Sequence, residues 1–507
     1  MRGVINKKFD IEKVGDGCII DPKRLIIDKL INLHETNPSI FENERIKVKL
    51  SADGTNISRN IKILNVIFSI INENIKAATA SGSYLFALAP YEKENYDQIS
   101  PLMSKTWDFI KGLSHVEINN VIKYIDLFVC ADYKMNLNLA GLKMANSLEP
   151  CLYCTASKRH LHELGEKRKV IVNVTLTVLD NGKMICEIFD EDFNDLALYD
   201  YIENENDSRW IHSDKMLIKL PINRFIIDLL HLFLRVSDKL FVNLIDKIKT
   251  ADKFSDKYNP MKHTNLEKMI SYLKECKIPI YDFYCEENSI SKIFTSLQGP
   301  HRIRVFNRIV KDDSFLKLLE SMPKIEKPDE IYLLWKDFYS ILTCIKSEQL
   351  PDLDYMERLI NKWFVKYVSL YGKANVTPYI HMFNYHLIDL YKKYGNINYF
   401  NTQGLEKLND LSTMDYFKTT NKRDDYCFQI LKRNMRMDYL KSIVGIKPKR
   451  IYTKRKLADD DDNDDNDDLE LNEDEEKIKV DDLYESDCDD LSTSAEKNAK
   501  IRKIEEI

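Results

Sequence analysis

Two aspartates at strand ends, and two widely separated Cys/His pairs, are the residues whose types and spacing could do chemistry in this chain. Residues 45–52, Arg-Ile-Lys-Val-Lys-Leu-Ser-Ala, alternate as a strand does, and Asp53-Gly54 ends the run. Residues 122–131, IKYIDLFVCA, read as a second strand, with Asp132 immediately after it. Carboxylates at strand ends of an α/β sheet lie where sites form. Two of them can hold a divalent cation such as Mg²⁺ or Mn²⁺ with positions left for phosphate and water. The plainer reading of Asp53-Gly54 is a turn.

The second set is Cys151-x-x-Cys154 and, far along the chain, His381 and His386. Two thiolates and two imidazoles make a tetrahedral zinc set, and H-x₄-H falls within ligand spacing. The gap between the halves rules out a zinc finger, so such a site would clip two distant segments together. Five residues along an ideal helix place the two imidazoles about 140° apart, so the helix must be distorted between them or His381 must lie in a loose first turn. Packed or surface histidines are the alternative, and Cys186, alone in a strand, reads as core.

The elements that must position these residues follow from periodicity. Strands are predicted at 61–70 and 83–89, with a helix at 93–113. Together with the two strands above they give an α/β class. A hairpin spans 170–189 around Asn181-Gly182, and the acidic stretch 190–209 reads as loop. From 221 to 372 the period is helical; Met356, Leu359, Ile360, Trp363, Tyr367 and Val368 share one apolar face, with Gly372 as a C-cap. Thr377-Pro378 opens a helix running to Tyr394, and a last helix is predicted near Gly404 to Leu411.

Composition sets the class of partner. The chain has 507 residues and a formal net charge of −6. Residues 458–507 carry 22 acidic and 6 basic groups, which leaves 69 basic and 59 acidic over 1–457, a net of +10. A basic body suits a polyanion such as nucleic acid, although a solvated lysine-rich surface has the same charge. Residues 447–456, KPKRIYTKRK, suit nuclear import or a DNA-backbone contact, and DDDDNDDNDD beyond them is too acidic to pack a core and is expected to be disordered. That acidic end suits a basic partner such as a histone or serves solubility alone. No run approaches the roughly 18 apolar residues that span a bilayer. The most apolar stretch, 224–236, is broken by Asp228, His231 and Arg235. The N-terminus lacks a signal-peptide run, so an intracellular protein is expected. The basic stretch 299–311, with His301, Arg302, Arg304, Arg308 and Lys311, reads as a helix face or a phosphate track.

Four segments taken in order, KLSADGTN, FVCADYKMNLNLAGLKMANSLEPCLYC, TPYIHMFNYH and YGNINYFNTQGLEKLN, resemble the vertebrate recombination-activating recombinase and its Transib-like transposase relatives. Asp132 precedes Cys151 by 19 residues, and Glu406 follows His386 by 20, as the corresponding acids do in that family. The resemblance spans roughly 45–420, with its motifs covering about a fifth of that length. It implies a ribonuclease-H-like core with a large, mostly helical insertion. It adds Glu406 as a third acid completing an Asp53–Asp132–Glu406 site for two Mg²⁺ or Mn²⁺ ions. It also implies a zinc site of Cys151, Cys154, His381 and His386. The implied activity is nicking of duplex DNA followed by transesterification, in the nucleus, with a homodimer needed to cut two ends. A derivative that kept fold and zinc but lost catalysis, as a DNA-binding protein, is the alternative. His231 also follows an aspartate as a family histidine does, but a lone histidine in an apolar helix is usually a packed core residue. The family's end-binding region before the core has no visible counterpart in the first fifty or so residues. The expected division is an N-terminal segment (1–42), a first core part (43–160), the insertion (161–372), a second core part carrying the histidines and third acid (373–445), and the basic cluster with acidic tail (446–507).

Overall fold

The computed structural model describes residues 10–168, 216–254, 259–278, 299–347, 349, 351–423 and 425–444, with the backbone of three short strands within 176–200. The basic cluster at 447–456, the acidic tail and the Asn181-Gly182 turn lie outside the described residues.

The described part of the N-terminal segment, from residue 10, joins the sheet. Strands β1 (Ile11–Val14) and β2 (Gly17–Ile20) form a hairpin whose second strand pairs with β5, and α1 (Pro22–Thr36) follows, capped by the Asp21 side chain. Then come β3 (Arg45–Asn56), β4 (Lys62–Ile70), β5 (Ser83–Pro90), α2 (Tyr96–Ile110), β6 (His115–Ile118), β7 (Val121–Val129) and α3 (Tyr133–Leu139). These strands make one seven-stranded mixed sheet in the order β1-β2-β5-β4-β3-β7-β6. Only β3 and β7 run parallel, from Arg45↔Tyr124 to Leu50↔Val129; the other pairings are antiparallel.

Strand β3 corrects one expectation. Asp53-Gly54 is not a turn, because the strand continues to Asn56, with Asp53 opposite Asn65 on β4. Its two faces differ sharply. Ile46, Val48, Leu50 and Ala52 are buried on one side, while Lys49, Ser51 and Asp53 point to the other, as a period of two requires.

Strands β8 (Leu176–Val178), β9 (Met184–Phe189) and β10 (Leu196–Asp200) form a separate antiparallel sheet. The predicted hairpin is there, but part of the stretch expected to be loop is its third strand. Helices then dominate: α4 (Leu229–Asp252), α5 (Thr264–Glu275), α6 (Gly299–Lys311), α7 (Ser314–Glu320), α8 (Pro328–Ile345) and α9 (Leu353–Tyr371). Their core is aromatic. Trp335 meets Phe241 at 4.6 Å and Phe315 at 5.1 Å, and Trp363 stacks on Tyr367 at 5.3 Å. The apolar face read from the sequence on α9 is the buried one, and Gly372 ends the helix at φ +83°, where L-residues are strained. On α6, Arg302 is buried against Asp238 and Arg308 pairs with Glu275, so these two arginines serve the helix packing rather than a phosphate track. Among the described residues no helix is long and apolar enough to cross a membrane.

The chain returns to the sheet through α10 (Pro378–Tyr385) and α11 (Leu387–Tyr394), then α12 (Gln403–Thr419) and α13 (Tyr426–Val444), which pack over β2, β3, β4 and β5. The single helix predicted from Thr377 to Tyr394 is broken at His386, whose φ of −125° and ψ of −20° leave the helical region. Two lysines, the half-buried Lys47 and the buried Lys49, anchor the return: Lys47 donates to the Tyr394 carbonyl at 2.9 Å and Lys49 to the Asn401 carbonyl at 2.8 Å. Tyr394 ends α11, so Lys47 also meets the negative end of that helix dipole.

Candidate functional site

The parallel register places the acids. Leu50 and Val129 form the last parallel pair, and Asp53 and Asp132 each stand three residues beyond it. A parallel bridge joins Val129 to Phe225, and Asp228 stands three residues beyond that. Three adjacent chain segments thus deliver an aspartate at the same level of the sheet.

Their roles diverge there. Asp228 is buried and caps α4, accepting from Leu230 and His231 backbone N–H groups at 3.2 and 3.3 Å. It also accepts from the Thr402 backbone N–H at 3.1 Å and hydroxyl at 2.6 Å. One carboxylate therefore joins the start of α4 to the start of α12. Burial works against its ionised form, but hydrogen bonds and charge from His231, with Thr402 and the Leu230 N–H, hold its pKa below the ordinary value. Asp132 caps α3 through Oδ1, which accepts from the Met135 N–H at 2.6 Å.

Glu406 arrives on the first turn of α12. Asn409, one turn further on, donates to Asp53 Oδ2 at 2.6 Å and accepts from Asn65 at 2.6 Å, and the Ser412 hydroxyl donates to Asn65 at 3.2 Å. This ladder of amides seats α12 on the polar face of β3 and β4. Gly404 makes the close approach possible: a Cβ there would lie 2.4 Å from Ser83 Oγ and 2.6 Å from the Thr79 carbonyl. Gly404→Ala is therefore expected to cost about 1–3 kcal/mol by overpacking and to lift Glu406 away from Asp53, read as a lower melting temperature. Gly54 has a similar constraint, since a Cβ would meet the Tyr91 hydroxyl at 2.2 Å and Glu94 Oε2 at 3.0 Å.

The result is a concentration of acidic side chains. Burial, then the charges of Glu406, Asp132 and Glu94, push the Asp53 pKa up to about 8, with His231 offsetting them in part. Glu406 and Glu94 are also raised, first by burial. The three carboxylates of Asp53, Asp132 and Glu406 share this neighbourhood, but their oxygens do not all lie within 4.8 Å of one another. His231, read from sequence as core, sits here. Its Nδ1 lies 2.5 Å from Asp228 Oδ2, and its Nε2 faces Glu406 Oε1 at 3.8 Å. Burial lowers its pKa, but Asp228, Asp132 and Glu406 together carry it to about 9. Asp228, Asn409 and Glu94 carried no spacing signal of their own.

The Cys/His set converges fully. The ligand atoms of Cys151, Cys154, His381 and His386 all lie within 4.8 Å of one another, and all four residues are buried. Cys154 Sγ is 3.2 Å from His381 Nε2, Cys151 Sγ is 3.5 Å from His386 Nε2, and the two Nε2 atoms are 3.2 Å apart. A zinc tetrahedron with ordinary bond lengths has N–N and N–S edges of about 3.3 and 3.6 Å, so the donor set fits zinc. The break at His386 is what turns both imidazoles inward. His381 Nδ1 lies 2.7 Å from the Leu161 carbonyl, which fixes the tautomer and leaves Nε2 as ligand. The Cys154 thiol is held well below its usual range by the Cys151 thiol and by the two histidines, the state a metal ligand needs.

The Cys/His cluster also supports Asp132. Tyr133, its neighbour, donates from its hydroxyl to the Pro150 carbonyl beside Cys151 and from its backbone N–H to the Tyr379 hydroxyl at 3.3 Å. Tyr153, between the cysteines, donates to the Phe225 carbonyl at 2.6 Å. No family model and no curated protein matches this chain.

Proposed function

We propose that this chain is the catalytic core of a metal-dependent DNA transposase or recombinase with a ribonuclease-H-like fold, which nicks duplex DNA and transfers the freed strand. The observation that carries the reading is that the β3–β7 register brings Asp53 and Asp132 to one level of the sheet, where Glu406 and Asp132 both act on Asp53. The strand order β5-β4-β3-β7, with β3 and β7 parallel and Phe225 bridging to β7, supports it.

Hard carboxylate oxygen donors suit Mg²⁺ or Mn²⁺. Asp53 would be shared between two such ions, with Asp132 and Glu406 each completing one. Bound there, the ions would stabilise the attacking and leaving oxygens of an in-line phosphoryl displacement. The protein's own part is positional. Asn409 fixes one oxygen of Asp53, the Met135 N–H fixes one oxygen of Asp132, and Asp228 orients the His231 ring so that Nε2 faces Glu406. The buried quartet would hold one structural Zn²⁺. Duplex DNA as partner, a homodimer to treat two ends, and a nuclear location go with this reading.

The test is conversion of supercoiled plasmid to the nicked form. Nicking in Mn²⁺ or Mg²⁺ that EDTA abolishes supports the proposal. Salt-sensitive DNA binding without cleavage at any ion concentration would favour a zinc-stabilised DNA-binding protein that has lost catalysis.

The titration of Asp53 adds a second check. Its folded pKa, about 8, lies above its ordinary 3.8, so its contribution to stability is full below pH 4 and is lost as pH rises through 8. Divalent ions counter that loss by favouring the charged form. Added Mn²⁺ is therefore expected to raise the melting temperature more at pH 8 than at pH 6, where the bound proton competes. Asp53→Asn should remove this difference. Equal shifts at both pH values in the unaltered protein would mean that the ions bind elsewhere.

A further inference from the structure

A second cluster of metal-ligating side chains lies on the loop after Cys154, outside both sites described above. His160, His162 and Glu163 present ligand atoms within 4.8 Å of one another. A single turn of 3-10 helix, Lys158–His160, and a hydrogen bond from the Glu163 N–H to the His160 carbonyl at 2.9 Å bring residues 160 and 163 to the same side. The two oxygens of Glu163 then serve different rings: Oε2 lies 3.6 Å from His160 Nδ1, and Oε1 lies 2.9 Å from His162 Nε2. The rings themselves stack, 5.7 Å apart.

The loop is held without any contribution from these side chains. Tyr385 donates to the His162 carbonyl at 2.5 Å, and His381 Nδ1 meets the Leu161 carbonyl at 2.7 Å. Gly165 lets the chain turn back against Thr155 and Ala156, where a Cβ would come within 2.3 Å of the Ala156 nitrogen. The His162 Nδ1 is buried with no hydrogen-bond partner, so the ring's polar contact is that of Nε2 with Glu163, which a bound ion would take over. The side chains of His160 and Glu163 are both 60 % exposed, which leaves room for water on an ion's open side.

We propose that His160, His162 and Glu163 form a second metal site, separate from the buried Cys/His quartet, that takes a divalent transition ion such as Zn²⁺ or Ni²⁺ in exchange with solvent. Two imidazoles and one carboxylate suit these ions better than Mg²⁺ or Ca²⁺. With three ligands from one short loop, two of them on exposed side chains, the ion is held more weakly than in the quartet. Its effect is to stiffen the loop whose Leu161 carbonyl orients His381. The proposal does not depend on the nuclease reading.

The test uses the full chain with its tightly held zinc retained and Ni²⁺ as probe, followed by calorimetric titration at neutral pH. One Ni²⁺ per chain is expected beyond the zinc. His160→Gln and Glu163→Gln, both surface changes, should each weaken it at least about tenfold without altering zinc content or melting temperature. Absence of Ni²⁺ binding, or equal binding by both variants, would overturn the proposal. Loss of the tight zinc together with the nickel would overturn it too, because the sites would then not be separate.

Discussion

Glu406→Gln is expected to abolish plasmid nicking while leaving the fold intact. Glutamine keeps the shape of the side chain and removes the charge that would hold a divalent ion. A metal contributes several kcal/mol to a phosphoryl transition state, and each 1.36 kcal/mol is tenfold in rate, so a loss of about 10³-fold or more is expected. Stability should change little. The Glu406 side chain is 44 % exposed, and its contact with His231 at 3.8 Å is long, so the change should stay within about 0.5 kcal/mol. Asp410→Asn, one turn along α12 at an exposed ion pair with Lys407, is the matched control and should nick as the unaltered chain does. Nicking by the Glu406 variant at the full rate would remove the three-acid site from consideration.

Removing the buried metal should have the largest effect on stability. Structural zinc contributes about 10–16 kcal/mol of apparent binding free energy in small zinc-binding peptides, comparable with the roughly 5–15 kcal/mol that holds an ordinary domain folded. The unaltered protein is expected to keep one tightly held zinc per chain through dialysis, measured by atomic emission. Cys154→Ala, or chelation by phenanthroline, should lower the melting temperature sharply. The damage should spread to the acids, because Tyr133 beside Asp132 is tied to the Cys151 segment and to Tyr379 on α10. A protein that purifies without zinc and melts identically with chelator would show that the quartet packs without a metal.

Much of the sheet was legible in the sequence. Strands at 61–70 and 83–89 were read within a residue of their observed ends, because apolar runs bounded by polar residues leave little choice. Asp53-Gly54 misled, since local statistics favour a turn. The strand passes through because Asn65 pairs with Asp53 across the ladder, and the glycine is needed for the crowding of Tyr91 and Glu94. The four-residue strands β1 and β2 are too short to carry a period. Helix α13 was also missed; its polar and apolar residues do not segregate cleanly onto faces. The Cys and His spacings were legible, but the break at His386 that unites them was visible only as a geometric difficulty. Asp228 and His231 were hidden for a different reason. A polar residue in an apolar helix looks the same in sequence whether it is packed or placed, and only the Thr402 and Glu406 contacts, from far along the chain, distinguish the two.

The distance along the chain between Asp53 and Glu406 has a consequence for biosynthesis. At about 5–20 residues per second, a ribosome needs about 20–70 s to travel from one to the other. Through that interval β3, β4 and β5 exist without α12, and Lys49, Asn65, Ser69 and Ser83, all buried in the finished protein, face water. Those polar side chains make the waiting surface wettable where a wholly apolar one would be sticky. The nascent sheet can thus stay soluble until its last layer emerges, and the acids are not brought together until α12 has left the ribosome.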